Sequence, residues 1–212
     1  MLFIEAEERY QVPFNKSLIT KNFSEAKALV LGGGADVSPT LYSEHKLKST
    51  YVDVLRDETD LYLIAEAMKK GMPIIGICRG AQILGVECGH SLYQDVRGHT
   101  QPHSIWTERH EFFPLRVNFM VTSTHHQMLR LDGEHNFDLL AYSLGQGSEY
   151  KNESGATSGP KLEPEVVLFE GKYLACQYHP ETMDQDSAGA RYFATLVSKL
   201  IGEQYVDARF RC

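Results

Sequence analysis

The sequence predicts an α/β fold, a mostly parallel central sheet flanked by helices on both faces. Three observations carry that expectation. Short apolar runs end in glycine-bearing turns, at Gly32-Gly33-Gly34 and again around Cys78. Segments with apolar residues at helical spacing stand between and after those runs, and strand and helix patterns alternate through the first half of the chain. At 212 residues the chain has the length of one domain, and 1–212 is read as a single unit able to bury a substantial core.

The elements follow in order. Ala28-Leu29-Val30-Leu31 is a short apolar strand running into the three glycines, where backbone can approach a ligand closely. From Asp57 to Lys70, Leu61, Ile64, Ala65 and Met68 recur at helical spacing, with acids early, lysines late and Gly71 as the stop. Pro73 to Ile77 is a buried strand, and Arg79 to Glu87 a helix broken by Gly89. The second half is richer in strands, at Leu115–Thr122, Phe137–Ser143, Glu165–Glu170 and Lys172–Tyr178. The last two are separated only by Gly171, which suggests a hairpin. Residues 145–164, rich in Gly, Ser, Lys and Glu and without periodicity, are expected to be an exposed loop. A final helix from about Asp186 presents Ala190, Phe193, Ala194, Val197, Leu200 and Ile201 on one face, and a polar surface tail is expected after Gly202.

Between the central strand and its helix stands Gly76-Ile77-Cys78-Arg79-Gly80, a G-x-C-x-G step. Cβ atoms at the two glycines would crowd the strand-to-helix corner, so the pattern marks a strained elbow that aims the Cys78 thiol into open space. The start of the following helix supplies free N–H groups and a dipole that favour a thiolate. A second apolar run ends in His179-Pro180-Glu181, an imidazole followed two residues later by a carboxylate, which supplies a base and the group that orients it. Cys78 and His179 are far apart in sequence, so folding must bring them together from neighbouring strand ends.

Composition narrows the function further. A net charge of −7 with no basic run argues against nucleic-acid binding. No long apolar segment suggests a membrane span or a signal peptide, and a cytoplasmic location is expected. The four cysteines, at 78, 88, 176 and 212, are too few and too unpatterned for a disulfide framework or a zinc pair, so reduced thiols are expected. His125-His126 and the scattered His90, His99, His103 and His110 lack carboxylates at ligand intervals. No metal is therefore expected, and these are read as ordinary polar-face histidines.

These residues resemble the class I glutamine amidotransferase-like superfamily, which is flavodoxin-like in fold, and within it the gamma-glutamyl hydrolase branch, peptidase C26. The resemblance runs from about Leu29 to Glu181. It rests on Gly32-Gly33-Gly34-Ala35-Asp36-Val37-Ser38-Pro39 with Leu41-Tyr42, on Arg56-Asp57, on Gly76 to Gln82, on Leu92-Tyr93-Gln94-Asp95, on Ser123-Thr124-His125-His126-Gln127 and on His179-Pro180-Glu181. Arg79 directly after the cysteine resembles the stand-alone hydrolases. Only about 30 residues precede Gly32, so the N-terminal part of the sheet is expected to be abbreviated; in this the chain is similar to compact phage amidotransferase-like proteins. The family's Asp-Gly-x-x-Glu has its nearest counterpart in Glu163-Pro164-Glu165.

The resemblance implies a cysteine-dependent hydrolase that cleaves a small gamma-glutamyl amide through a glutamyl thioester and needs no cofactor. Cys78 is the implied nucleophile, His179 the proton carrier and Glu181 its support, with backbone N–H groups of Gly33, Gly34 and Arg79 as the oxyanion hole. Gln82, Ser123, Thr124, His125 and His126 are the implied substrate-binding residues. Asp36 and the Arg56-Asp57 pair are read as structural braces. Two alternatives stand beside this: a glutaminase subunit supplying ammonia to a separate ATP-dependent ligase or synthetase, and a non-catalytic binding module of the same fold.

Overall fold

The computed structural model describes residues 2–5, 19–132 and 136–202. The first half contains β1 (Leu2–Glu5), β2 (Ile19–Thr20), β3 (Ala28–Leu31), α1 (Val54–Lys69), β4 (Ile74–Ile77) and α2 (Arg79–Glu87). Three short strands follow, β5 (Ser91–Tyr93), β6 (Asp95–Arg97) and β7 (His103–Thr107). Then come β8 (Asn118–Val121), β9 (Met128–Arg130), β10 (Phe137–Ser143), β11 (Glu149–Asn152) and β12 (Gly155–Thr157). The chain continues through β13 (Glu163–Phe169), β14 (Tyr173–Cys176) and α3 (Ala188–Ile201). The segment after Gly202, including Cys212, lies outside the described residues.

The central sheet has nine strands in the order β2-β1-β3-β4-β14-β13-β10-β7-β8. Its pairings are parallel from β2 to β14 and antiparallel from β14 to β8. The expected α/β class holds, with the parallel arrangement confined to the half that carries the elbow. Strand alternation divides the core in two. Val30, Ile75, Ile77, Val166, Leu168 and Leu174 face α3, where they meet Tyr192, Phe193, Leu196 and Val197. Leu29, Leu31, Ile74, Val167, Phe169 and Ala175 face α1 and α2, where they meet Leu63, Ile64, Ala67, Ile83 and Leu84. Burial on both faces is why β3 and β4 read as unbroken apolar runs.

Local signals account for most boundaries. α1 begins three residues before the expected Asp57 because the Asp53 carboxylate caps it, accepting the Arg56 N–H. α3 is capped in the same way by Ser187. β13 and β14 form the expected hairpin. Of the three residues between them, Glu170 at φ 50° and Gly171 at φ 70° have the left-handed geometry that suits the twist of tight hairpins. Residues 145–164 depart from the exposed-loop reading. β11 and β12 form a hairpin paired to β6, and Tyr150 is buried with Tyr93, Val96 and Met128. The Glu163 carboxylate accepts the amides of Gln146 and Gly147, so a buried acid organises a segment whose composition looks like solvated loop.

α2 leaves β4 at very short range. A Cβ on Gly76 would overlap the backbone of Gly80 and Ala81, and one on Gly80 would overlap the Leu31 carbonyl. The obstacles are backbone, which cannot step aside as a flexible side chain can. Gly80→Ala is therefore expected to lower stability by at least about 1–3 kcal/mol, the range for overpacking a tight interior. A urea midpoint equal to that of the parent protein would show that the corner has room.

Candidate active site

Cys78 sits at the carboxyl end of β4 with φ 52° and ψ −109°, a conformation that non-glycine residues rarely adopt. Three contacts hold it there. Its N–H donates to the Cys176 carbonyl at 2.8 Å, the Gly80 N–H donates to the Gly32 carbonyl at 3.1 Å, and the flanking glycines admit the close turn. Because Gly80 N–H is engaged and the first N–H of a helix has no intrahelical acceptor, the Arg79 amide is the elbow donor available to a ligand. The other described thiols are poor nucleophiles: burial pushes Cys88 up to about 12 and Cys176 well above the ordinary thiol range.

β14 lies parallel to β4 with Cys176 opposite Ile77, so the chain leaving β14 reaches the same sheet edge as the elbow. His179 stands three residues on. Thr122 clamps it from both sides, accepting the His179 N–H at its carbonyl (3.3 Å) and donating its hydroxyl to the His179 carbonyl (2.8 Å). Pro180 then opens a single 3-10 turn, Pro180–Thr182, which carries Glu181 back to the imidazole. The His179 Nδ1 to Glu181 Oε1 distance is 2.6 Å. Nε2 makes no aligned hydrogen bond among the described residues, yet Cys78 is close enough to strengthen its hold on a proton. Burial alone would lower the His179 pKa, but Cys78 and Glu181 outweigh it and push it up to about 10.

Around these groups lies a cavity of about 150 Å³ lined by Gly34, Asp36, Cys78, Arg79, Gln82, Thr124, His125, His126, Gln127 and His179. It is smaller than the roughly 300–1,000 Å³ of drug-sized sites, and matches an amino-acid-sized group. Of the expected binding residues, Gln82, Thr124, His125 and His126 line it. Ser123 does not: its hydroxyl donates to the His99 carbonyl, and the residue is buried behind the wall. The Gln82 side-chain NH₂ donates to the Gln127 carbonyl (2.9 Å) and to Gln177 Oε1 (3.2 Å).

Asp36 is more than the loop brace that its sequence context suggests. It does accept the Tyr51 N–H at 2.8 Å, but it also lines the cavity and lies 3.1 Å from His126 Nε2. Hydrogen bonding to Asp36 raises the His126 pKa; burial opposes this and Asp95 adds to it. His125 is the opposite case. Burial and the neighbouring His99 hold it well below the usual range, so it lines the cavity as a neutral ring, its Nδ1 2.8 Å from the Gln127 carbonyl. The site thus brings a carboxylate, a histidine whose hold on a proton is strengthened, and neutral polar groups into one small volume. His90, His99 and His103 are buried rather than on a polar face, because the antiparallel half of the sheet encloses them.

Arg79 is 1% exposed. Its guanidinium donates to Asp57 Oδ1 at 2.6 Å and to Asp60 on α1, while Arg56 Nε donates to Asp60 Oδ1 at 2.9 Å. The Arg56-Asp57 pair expected from sequence is therefore not formed as such: each partner reaches a different residue, and together they tie the elbow helix to α1. Asp57 also accepts the Ser38 N–H at 3.1 Å, which brings the glycine-rich loop into the same network.

The sheet order, the elbow and the Cys-His-Glu arrangement define a protein of the class I glutamine amidotransferase-like superfamily. Within it the chain belongs to the Peptidase C26 family, whose profile matches residues 11–143. It is 35% identical to the glutamine amidotransferase-like protein YvdE of Lactococcus lactis subsp. lactis (strain IL1403), over 80% of this chain and 72% of that protein. Two solved structures share the fold. A glutamine amidotransferase from Thermotoga maritima has a TM-score of 0.58 and 18% identity, covering 96% of this chain and 88% of that one. A protein described as a GMP synthase component, from Thermoplasma acidophilum, has a TM-score of 0.59 and 16% identity, covering 96% and 94%. No helix among the described residues is long and apolar enough to cross a membrane.

Two outcomes are expected. Arg79→Met, which leaves the buried Asp57 without its guanidinium partner and Asp60 with Arg56 alone, costs about 3–5 kcal/mol in denaturant unfolding. Adding Asp57→Asn restores part of that loss; no recovery would mean that Arg79 acts through packing alone. The raised His179 pKa means that the imidazolium favours the folded state. Its contribution is complete below about pH 6.5 and is lost as the pH climbs through about 10. In histidine NMR titrations Cys78→Ala should move this transition down from about 10, and an unmoved transition would show that the sulfur is not its partner.

Proposed function

We propose that this chain is a cysteine hydrolase that cleaves a gamma-glutamyl amide, either glutamine or a gamma-glutamyl amine, to glutamate and ammonia or an amine. The observation that carries the reading is Cys78, held in a strained elbow beside a His179 that Glu181 supports at 2.6 Å. The Cys78 sulfur, its proton passed to His179, attacks the amide carbon, and charge develops on the former carbonyl oxygen, with the Arg79 and Gly34 N–H groups as its donors. The gamma-amide C–N bond then breaks as His179 delivers its proton to the departing nitrogen, leaving a thioester. Water attacks the thioester with His179 taking its proton, glutamate leaves, and the thiol is regenerated. Glu181 orients the ring and stabilises its cation throughout.

The cavity's charges suit the zwitterionic end of a glutamyl group. In this reading Asp36, braced by His126, pairs with the α-ammonium, and Gln82 and Thr124 line the path of the chain. No metal or organic cofactor takes part in these steps. The chemistry needs a free thiol, which a reducing cytoplasmic setting preserves. A second reading is favoured by the likeness to the protein described as a GMP synthase component: a glutaminase that passes ammonia to a separate ATP-dependent ligase. That reading predicts low activity alone and stimulation by a partner.

Incubation with glutamine and a panel of gamma-glutamyl amines, followed by mass spectrometry of the intact protein, should trap a glutamyl adduct on Cys78. Cys78→Ala should lose both adduct and turnover, and equal turnover by the two proteins would exclude Cys78 as nucleophile. Asp36→Asn keeps an acceptor for Tyr51 but removes the charge. It is expected to raise KM by about 10–100-fold, the worth of one hydrogen bond to a charged group, with a much smaller effect on kcat. An unchanged KM would remove Asp36 from substrate recognition.

A further inference from the structure

A second group of metal-ligating side chains is buried beneath the cavity wall, separate from Cys78. His99 precedes β7, His103 begins it, and Glu163 and Glu165 project from β13; all four side chains are 0–1% exposed. His103 Nε2 is 2.7 Å from Glu165 Oε1, and His99 Nδ1 is 3.6 Å from the same oxygen. One donor atom each from His99, His103 and Glu165 lie within 4.8 Å of one another. Zinc bound at its usual distances holds tetrahedral ligand atoms about 3.3 Å apart, so shifts of an ångström or so would close this set around an ion.

Three further features point to a cation. Both ring nitrogens of His99 and the second Glu165 oxygen, Oε2, are buried without hydrogen-bond partners among the described residues, a costly state for groups that an ion would satisfy. Each imidazole turns its outer nitrogen toward an acceptor, His103 Nδ1 to the Gln101 carbonyl at 3.1 Å and His99 Nε2 toward Glu163 Oε2 at 3.6 Å. Metal-bound histidines are oriented in this way. Glu163 is fixed in turn by the Tyr150 and Ser143 hydroxyls and by the Gln146 and Gly147 amides. Among the described residues, the ion-pair partners of the two carboxylates are these histidines alone, with no Lys or Arg to balance them.

We propose that His99, His103 and Glu165 form a structural site for a divalent metal of the zinc class, with both Glu165 oxygens completing four donors and Glu163 supporting His99. A nitrogen-and-carboxylate donor set of this kind suits zinc better than magnesium or calcium, which take oxygen ligands. The ion would join the loop before β7 to β13. It would also set the wall of the catalytic cavity, because the His99 ring lies on that of His125 with centroids 4.8 Å apart. The proposal stands apart from the reaction assigned to Cys78.

The test is zinc binding by the full chain after dialysis against a chelator, read by competition with a chromophoric zinc indicator. One equivalent is expected in the parent protein and in Cys78→Ser alike. Loss of a ligand should weaken binding by at least about 100-fold, the upper end of what even an outer partner contributes, in both His103→Ala and Glu165→Gln. Circular dichroism shows which variants fold, and Glu165→Gln, nearly the same shape, carries the comparison if His103→Ala does not. Cobalt(II) in the parent protein should give tetrahedral visible bands without a thiolate charge-transfer band. Three results would overturn the site: no stoichiometric zinc in the parent protein, binding lost in Cys78→Ser, or undiminished affinity in the folded ligand variants.

Discussion

The parallel pairing of β14 against β4 is the constraint on which the rest of this structure depends. With Cys176 opposite Ile77, and the Cys78 N–H bonded to the Cys176 carbonyl, the two chains leave the sheet side by side. A cysteine at the end of one and a histidine just past the end of the other then have little freedom to miss each other. The site lies at the carboxyl ends of parallel strands, where open α/β sheets bind ligands, because turns there point backbone N–H groups and side chains into one crevice. A slip of one residue in that register would carry every β14 side chain to the opposite face and remove His179 from reach.

Around that register the protein places its charges where solvent cannot screen them. Arg79 bears a position in the elbow and a guanidinium that reaches Asp57 and Asp60. Burial lifts the Asp57 pKa, with Arg79 pulling against it, so the pairing works against its own desolvation. Its benefit is geometric: it locks α2, α1 and the glycine-rich loop into one unit that supports a strained Cys78. His126 between Asp36 and Asp95 does the same for the opposite wall. Rigid neighbours of this kind hold the side chains that line a cavity to a narrow range of positions.

How much is legible in the sequence varies with the physics involved. β3, α2 and β10 match their sequence readings residue for residue, because apolar period, helix stop and flanking glycine are local signals. Cys78, His179 and Glu181 are legible because an elbow demands small neighbours and a His-Pro-Glu turn is compact. Residues 145–164 mislead because what orders them is distant: β6, the buried Tyr150 and the Glu163 carboxylate. Ser123 is misplaced as a cavity residue for a similar reason, since nothing local shows that its hydroxyl turns to His99. Asp36 is undervalued because a loop acid close to Tyr51 looks the same whether or not a cavity opens beside it.

By itself the sequence determined the α/β class, the elbow and the chemical types at its apex, because short-range sterics, hydrophobic period and turn chemistry depend on neighbours in the chain. Only the tertiary structure decided which polar groups share a volume. Asp36 meets His126 across 90 residues, Arg79 meets Asp57 across 22, and His103 meets Glu165 across 62. The sheet order makes those meetings, since pairing β14 with β4 and β13 with β10 sets distances that no local pattern encodes. Burial then makes each meeting matter, because a charge or an imidazole removed from water must find its partner inside the protein.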